Sequence, residues 1–209
     1  MAIGPRTIGQ VGARNSPKTL PNAAGFSLKD GNIGPNPAPQ RGGAGRRRIE
    51  DRVALTEMSG AERVIALADP AATAGLGQAL GVQVRAGDVI FLQGELGAGK
   101  TTLARGLIEA VAGVTDIPSP TYNIVQIYEC PGYDVWHVDL YRLKAAEEAF
   151  ELGLDEAFRS SVCLVEWPER LQGVLGAPGL QVQLKPDGAG GRTAILRAGP
   201  EWEDRIVAI

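Results

Sequence analysis

The eight residues from Gly94 to Thr101 (Gly-Glu-Leu-Gly-Ala-Gly-Lys-Thr) match the pattern Gly-x-x-x-x-Gly-Lys-Ser/Thr. Loops of this pattern wrap phosphate groups with backbone N–H groups, and glycines are needed because side chains would block the close approach. In such loops the lysine, here Lys100, carries a positive charge to the β- and γ-phosphates, and the hydroxyl of Thr101 is offered to Mg²⁺. The pattern therefore predicts a nucleotide-phosphate site.

Acidic residues follow two further apolar runs. Asp139 comes after residues 135–138 (Val-Trp-His-Val), and Glu166 comes after residues 162–165 (Val-Cys-Leu-Val). A P-loop enzyme needs a carboxylate near its Mg²⁺ ion, usually at the end of a neighbouring strand. In a parallel sheet both side chains would emerge at the carboxyl edge, where ligands bind. Either residue alone is equally well read as an ordinary strand end, but the two together favour a functional role.

Two neighbours of these carboxylates have two readings each. His137 shares a strand face with Asp139 by the two-residue period of a strand. It is either a proton carrier or a histidine packed in a buried strand, and the second reading is the more common one. Trp167, directly after Glu166, is either a packing aromatic or a shield beside the nucleotide.

The phosphate loop lies between a predicted strand and a predicted helix, as its pattern requires. Residues 88–93 form a short apolar run that is typical of a strand buried on both faces of a parallel sheet. A helix should follow from Thr101 to about Val111, with Gly113 ending it. Its apolar residues are spaced to face the sheet, namely Leu103, Leu107 and Ile108 or Val111.

The remaining pattern predicts an α/β fold, a P-loop NTPase three-layer sandwich with a mostly parallel central sheet and antiparallel strands at the C-terminus. Asp69 and Pro70 are typical of a helix N-cap and first helical residue. The other predicted elements are a strand at 63–67, a helix at about 71–84, strands at 133–140 and 162–167, one or two short helices within 145–158, and antiparallel strands at 180–184 and 192–197.

The N-terminal 57 residues differ in composition from the rest of the chain. They contain nine glycines, six prolines, one phenylalanine and no tryptophan or tyrosine, and they carry nine basic against four acidic residues. So little apolar surface predicts a disordered basic extension, and Met58 is an alternative natural start. Residues 58–209 are then expected to form the P-loop domain, with twelve basic against twenty acidic residues. A domain with this net charge of −8 is not expected to bind tRNA or DNA through its general electrostatic field.

Other features of the composition exclude several classes of protein. No run of eighteen apolar residues and no secretory signal is present, so we expect a cytoplasmic protein. Two cysteines, Cys130 and Cys163, and one histidine allow neither a disulfide framework nor a histidine-based zinc site. The Asn/Thr-Lys-x-Asp motif that reads guanine is absent after the loop, which favours ATP.

Four motifs in order resemble one family in particular. Residues 94–102 (Gly-Glu-Leu-Gly-Ala-Gly-Lys-Thr-Thr) are followed by 119–122 (Ser-Pro-Thr-Tyr), 137–143 (His-Val-Asp-Leu-Tyr-Arg-Leu) and 164–168 (Leu-Val-Glu-Trp-Pro). This order resembles the bacterial TsaE (YjeE) family, over a region from about Arg63 to the C-terminus. The resemblance implies an ATPase that supports the synthesis of threonylcarbamoyladenosine in the anticodon loop of certain tRNAs.

The resemblance also implies roles for individual residues. Thr101 and Glu166 are implied to hold Mg²⁺, Asp139 to be the Walker B-like aspartate, and Thr121 to lie in a switch-like loop near the γ-phosphate. Lys100, Asp139, Glu166 and Thr121 are thus the candidate catalytic residues. The candidate nucleotide-binding residues are Asp69, Ala71, Gly94, Glu95, Leu96, Gly97, Ala98, Gly99, Lys100, Thr101, Thr102, Asp139 and Gly191. The resemblance also maps Thr73, close to Ala71, to the surroundings of the adenine.

The expected cofactors are ATP and Mg²⁺, and the expected partner is a complex of the TsaB and TsaD type. The alternative is a small-molecule kinase of the P-loop class. Such kinases usually close an arginine-rich lid over the phosphates, whereas the corresponding stretch here, residues 145–156, is acidic. The acidic stretch favours a nucleotide-gated assembly factor whose ATP cycle acts on a protein complex.

Overall fold

The computed structural model describes residues 18–19, 60–121, 123–175 and 179–209. Of the predicted N-terminal extension it describes only Lys18–Thr19, a two-residue strand that pairs with a later strand. The rest of that extension, Met58 and Tyr122 of the Ser-Pro-Thr-Tyr motif lie outside the described residues. The division into a disordered extension and a catalytic domain therefore stays a prediction.

The described part of the chain contains an eight-stranded sheet with helices on both faces, in the order β1-β4-β5-β6-β3-β7-β8-β2. This arrangement confirms the predicted α/β sandwich. The strands are β1 Lys18–Thr19, β2 Glu62–Leu67, β3 Val89–Gln93, β4 Val125–Cys130, β5 Tyr133–Asp139, β6 Val162–Glu166, β7 Leu180–Pro186 and β8 Arg192–Ala198. The α-helices are α1 Pro70–Gly81, α2 Lys100–Ala112, α3 Glu148–Glu151, α4 Leu154–Ser160 and α5 Glu203–Val207.

The four central strands, β5, β6, β3 and β7, run parallel, and antiparallel strands flank them on both sides. No strand is predicted at β4, which pairs antiparallel with β5. The C-terminal strands are predicted as an antiparallel pair at the end of the chain. They do form an antiparallel hairpin, but β7 joins β3 in parallel and β8 pairs with β2, so the hairpin is part of the main sheet.

The helix before the phosphate loop begins as predicted. The Asp69 carboxylate accepts a hydrogen bond from the Ala72 N–H (2.7 Å), which satisfies one of the free donors of the first turn of α1. The helix ends at Gly81, earlier than the predicted residue 84. After the loop, α2 ends with Gly113 in a left-handed conformation (φ 67°), and its N–H donates to the Glu109 carbonyl.

Glycines allow α1 and α2 to cross at close range. A Cβ on Gly77 would overlap the Leu103 carbonyl of α2, and a Cβ on Gly106 would overlap the Ala74 carbonyl of α1. Glycine weakens an isolated helix, and this close backbone approach explains why it stands inside both. The crossing fixes the N-terminus of α1 beside the beginning of α2.

The two faces of the sheet are covered unequally. On one face α1, α2 and α5 bury the apolar residues of the central and C-terminal strands, including Leu92, Leu164 and Leu196. On the other face, among the described residues, α3 and α4 cover only the half formed by β4, β5, β6 and β3. On the half formed by β7, β8 and β2, the residues of the second face are half-buried or exposed, and Val64 is 61% exposed.

Candidate nucleotide and metal site

The phosphate loop connects the end of β3 to the first residue of α2. Gly94, Gly97 and Gly99 have φ values of 139°, 80° and 106°, which favour glycine. A Cβ on Gly94 would lie 2.5 Å from the Leu184 carbonyl oxygen of β7. The loop therefore combines the backbone conformation and the open N-terminus of a helix that an anion site requires.

Lys100 is the first residue of α2, and its side chain folds back over the loop. Its Nζ donates hydrogen bonds to the carbonyl oxygens of Gly94 (2.6 Å) and Glu95 (3.0 Å) and lies 3.8 Å from the centroid of the Trp167 ring. Burial lowers the pKa of Lys100 below its usual value, and the nearby carboxylates, Glu166 foremost, oppose that shift. The Lys100 ammonium group is thus held at the loop by neutral carbonyl and ring partners.

The Glu166 carboxylate contacts two side chains, Thr101 and His137. The Thr101 hydroxyl donates to Glu166 Oε2 at 3.1 Å, and His137 Nε2 lies 2.9 Å from Glu166 Oε1. Glu166 ends β6 and is 2% exposed, and His137, on β5, has no exposed surface. The three side chains come from one helix and two strands that are far apart in the sequence and adjacent in the fold.

Asp139 ends β5 next to Glu166, which is its register partner on β6. Its Oδ2 accepts the Thr121 hydroxyl (2.9 Å), and its Oδ1 accepts the Tyr141 N–H (3.0 Å). The Ser119 hydroxyl lies 2.8 Å from Thr121 Oγ1. Because Thr121 already donates its proton to Asp139, Ser119 is the donor in this pair. The loop before β4 is thereby tied to the end of β5.

These side chains surround one cavity of about 250 Å³. A hydroxyl, carboxylates and a lysine at the N-terminus of a helix fit the phosphates of a nucleotide with Mg²⁺, which prefers oxygen ligands and keeps several waters. Among the predicted site residues, nine line this cavity: Leu96, Gly97, Gly99, Lys100, Thr101, Thr102, Thr121, Asp139 and Glu166. Tyr141 and Trp167 complete the wall.

Trp167 separates this cavity from a second one. Its backbone adopts a left-handed conformation (φ 59°), unusual for a large side chain, directly after Glu166. The ring packs against Tyr141, with 5.0 Å between ring centroids, and against Lys100. Gly94 and Glu95, two of the predicted site residues, line the second cavity of about 470 Å³ together with Trp167. Trp167 is therefore both a packing aromatic and a wall of the phosphate cavity.

The remaining predicted residues lie at the edge of the site or away from it. Asp69 and Ala71 are exposed at the N-terminus of α1, and Ala98 is buried within the loop. Gly191 does not line the cavity. It precedes β8 and faces the backbone of β2, where a Cβ would come within 2.9 Å of the Leu67 carbonyl oxygen.

Sequence reasoning missed Arg192, directly after Gly191. Its Nη1 donates to the Thr73 hydroxyl at 2.8 Å, and a Cβ on Gly99 would lie 3.1 Å from the same Nη1. The guanidinium therefore lies beside the loop, on the side of α1. No local motif marks it, because its contact with Thr73 joins residues 119 positions apart.

None of the helices in the described part of the chain has the length and apolar character that crossing a bilayer requires.

The parallel central strands, the glycine-rich loop between β3 and α2, and the two strand-end carboxylates define a protein of the P-loop fold class. A family model described as threonylcarbamoyl adenosine biosynthesis protein TsaE matches residues 67–194. Because this match spans more than half of the chain, the protein belongs to the TsaE family, whose members serve tRNA threonylcarbamoyladenosine biosynthesis.

Individual relatives agree with this assignment. The TsaE protein of Rickettsia typhi is 43% identical over 99 residues, which are 47% of this chain and 69% of that protein. The TsaE protein of Bacillus subtilis is 36% identical over 121 residues, 57% of this chain and 75% of that protein. The crystal structure of Bacillus subtilis YdiB superposes with a TM-score of 0.60 at 30% identity and covers 70% of this chain and 92% of that one.

Proposed function

We propose that this protein is a Mg²⁺-dependent ATPase that supports tRNA threonylcarbamoyladenosine formation by acting on a TsaB–TsaD transferase complex. Family membership supports the pathway. The observation that carries the enzymatic part is the Thr101–Glu166 contact at the first turn of α2, with the hydroxyl and the carboxylate 3.1 Å apart on the cavity wall. A hydroxyl paired with a strand-end carboxylate is what a P-loop uses to hold Mg²⁺ beside the β- and γ-phosphates.

Each side chain then has a role in binding. The backbone N–H groups of the loop bind the phosphates, and Lys100 exchanges its carbonyl partners for phosphate oxygens. Thr101 and Glu166 hold the metal ion, which supplies positive charge to the phosphoryl group when bound. Asp139, fixed by Thr121 and by the Tyr141 N–H, would supply a second carboxylate beside the metal. Thr121 would lie near the γ-phosphate and would orient Asp139 through the same hydrogen bond.

The residues around the cavity support the proposal that ATP binding and hydrolysis act on a partner protein. Two apolar side chains at its mouth are exposed, Leu96 at 82% and Tyr141 at 45%. Exposed apolar residues beside a functional cavity are typical of a surface that a partner covers. The net charge of −8 on residues 58–209 argues against tRNA as the direct ligand of this domain.

The decisive measurement is the ATPase rate of the full chain alone and with each candidate partner. We expect slow turnover alone, a clear increase on adding the TsaB and TsaD proteins of the same organism, and little change on adding tRNA. Stimulation by a small metabolite without partner proteins would instead identify a kinase. Tight tRNA binding by residues 58–209 at physiological salt would also contradict the proposal.

A further inference from the structure

His137 is a buried side chain with one hydrogen-bond partner at the metal site. Its Nε2 lies 2.9 Å from Glu166 Oε1, and the residue has no exposed surface. Its Nδ1 has no hydrogen-bond partner among the described residues. A purely packing role for this histidine would not explain its hydrogen bond to a carboxylate. The ring is therefore oriented by Glu166 and by packing alone.

The direction of this hydrogen bond follows from the second oxygen of Glu166. Thr101 donates its hydroxyl to Oε2, so the carboxylate acts as an acceptor there. With Oε1 also accepting, His137 carries a proton on Nε2. One donor thus holds each oxygen of the Glu166 carboxylate, one from β5 and one from α2.

The sheet register makes this contact possible. Asp139 pairs with Glu166 across β5 and β6, and His137 pairs with Leu164, two residues earlier. His137, Asp139 and Glu166 lie on the same face of the sheet, so the histidine reaches diagonally toward the strand end. His137 and Asp139 thus have different roles, since Asp139 contacts Thr121 and His137 supports Glu166.

We propose that His137 is a positioning residue for Glu166, fixing its carboxylate so that it can hold Mg²⁺ together with Thr101. The inference rests on the proposed function, since it needs Glu166 to bind the metal. Groups that hydrogen-bond a metal ligand from behind fix its orientation, and their loss typically lowers metal affinity by about 10- to 100-fold. His137 would act through Glu166 and would not touch the nucleotide.

A matched pair of variants separates positioning from packing. In His137→Gln the amide nitrogen can replace Nε2 as donor, whereas His137→Met fills similar space without a donor. Mn²⁺ is titrated into the full chain saturated with ADP, and free Mn²⁺ is measured by electron paramagnetic resonance. We expect affinity within about 2-fold of wild type for the Gln variant and about 10-fold weaker for the Met variant. ADP binding without metal should be unchanged in both variants, and equal Mn²⁺ affinity of the two would overturn the inference.

A double-mutant cycle distinguishes this inference from the proposed function. Glu166→Gln should weaken Mn²⁺ binding, and adding His137→Met to it should cause no further loss. Normal Mn²⁺ affinity in Glu166→Gln would remove the metal assignment itself. Weak binding in Glu166→Gln with wild-type affinity in His137→Met would remove only the role of the histidine.

A measurement on the unaltered protein covers the case in which a variant fails to fold. His137 is the single histidine of the chain, so untagged protein labelled with ¹⁵N-histidine gives one imidazole spectrum. We expect the tautomer with the proton on Nε2, and a shift of the Nε2 resonance when Mg²⁺ is added to the ADP-bound protein. An Nε2 atom without a proton, or an Nε2 resonance that does not change on adding Mg²⁺, would contradict the proposal.

Discussion

Asp139 and Glu166 are register partners at the ends of two adjacent parallel strands, and each accepts a hydrogen bond from a threonine hydroxyl in a different segment of the chain. Thr121, in the loop before β4, donates to Asp139, and Thr101, in α2, donates to Glu166. Two carboxylates side by side would repel each other if they pointed at the same spot. Because each carboxylate has its own hydroxyl donor, the two point to different neighbours within one cavity. They can therefore have different roles in binding and hydrolysis.

Replacing Lys100 with Ala should weaken ATP binding by about 10-fold or more, because a charged hydrogen bond to phosphate is lost. The fold should persist, since the Lys100 ammonium contacts two loop carbonyls and one ring face. Isothermal titration with ATP measures the affinity, and circular dichroism checks the fold. Lys144→Ala, at an exposed lysine, is the control and should bind normally. Wild-type affinity in Lys100→Ala would refute the assignment of the phosphate loop.

Asp139→Asn should lower turnover by roughly 100-fold while changing nucleotide affinity little, because the charge acts mainly on the transition state. Thr121→Val removes the donor that orients Asp139 and should lower turnover less. Single-turnover hydrolysis and nucleotide titration separate the two effects. If Thr121 acts only through Asp139, the double variant will be no slower than Asp139→Asn alone. Fully additive losses would show that the two side chains act independently.

Asp69→Ala should reduce the free energy of unfolding by about 1 kcal/mol, because the first turn of α1 loses its side-chain cap. For a domain of this size, that corresponds to a drop of about 2–4 °C in melting temperature. Asp69→Asn retains an acceptor at the same place and should unfold close to wild type. Calorimetry on the three proteins tests this, and an equal drop in both variants would mean that the negative charge matters more than the cap.

Cys163 should resist thiol reagents in the folded protein. Burial raises the pKa of its thiol to about 12, from 9.0. In Cys130→Ser, where it is the remaining thiol, a disulfide reagent at pH 8 should react only after denaturation. The folded pKa is the higher one, so this thiol favours folding below pH 9, and that contribution is lost as pH rises from 9 toward 12. Fast labelling of native Cys130→Ser would show that β6 opens readily.

Local signals made much of the site predictable. The phosphate loop is a contiguous pattern, the Asp69 cap and the Gly113 end follow from residue type, and Asp139 and Glu166 each follow an apolar run. Strands and helices with these signals occur close to their predicted bounds. Such features depend on neighbours in the chain, which the sequence displays directly.

Other features depend on pairing between distant segments. Strand β4 was missed because it buries a polar residue, Gln126, whose Oε1 accepts the Tyr128 hydroxyl at 2.7 Å, and this breaks the apolar pattern. The contact of His137 with Glu166 requires the register of β5 on β6, and that of Arg192 with Thr73 requires β8 to lie beside α1. Residue types alone do not specify either arrangement.

Within the described part of the chain, the half of the sheet formed by β7, β8 and β2 has helices on one face only, and this has a consequence for local unfolding. Segments with fewer buried apolar contacts open at lower free energy than the rest of a domain. β2 is an edge strand paired only with β8 among the described strands, so we expect its amide protons to exchange with solvent well before those of β3 and β6. Arg192 begins β8, so local unfolding of β8 would carry its guanidinium away from Gly99. A nucleotide that contacts Arg192 would therefore slow amide exchange in β8 and β2, including residues that it does not touch.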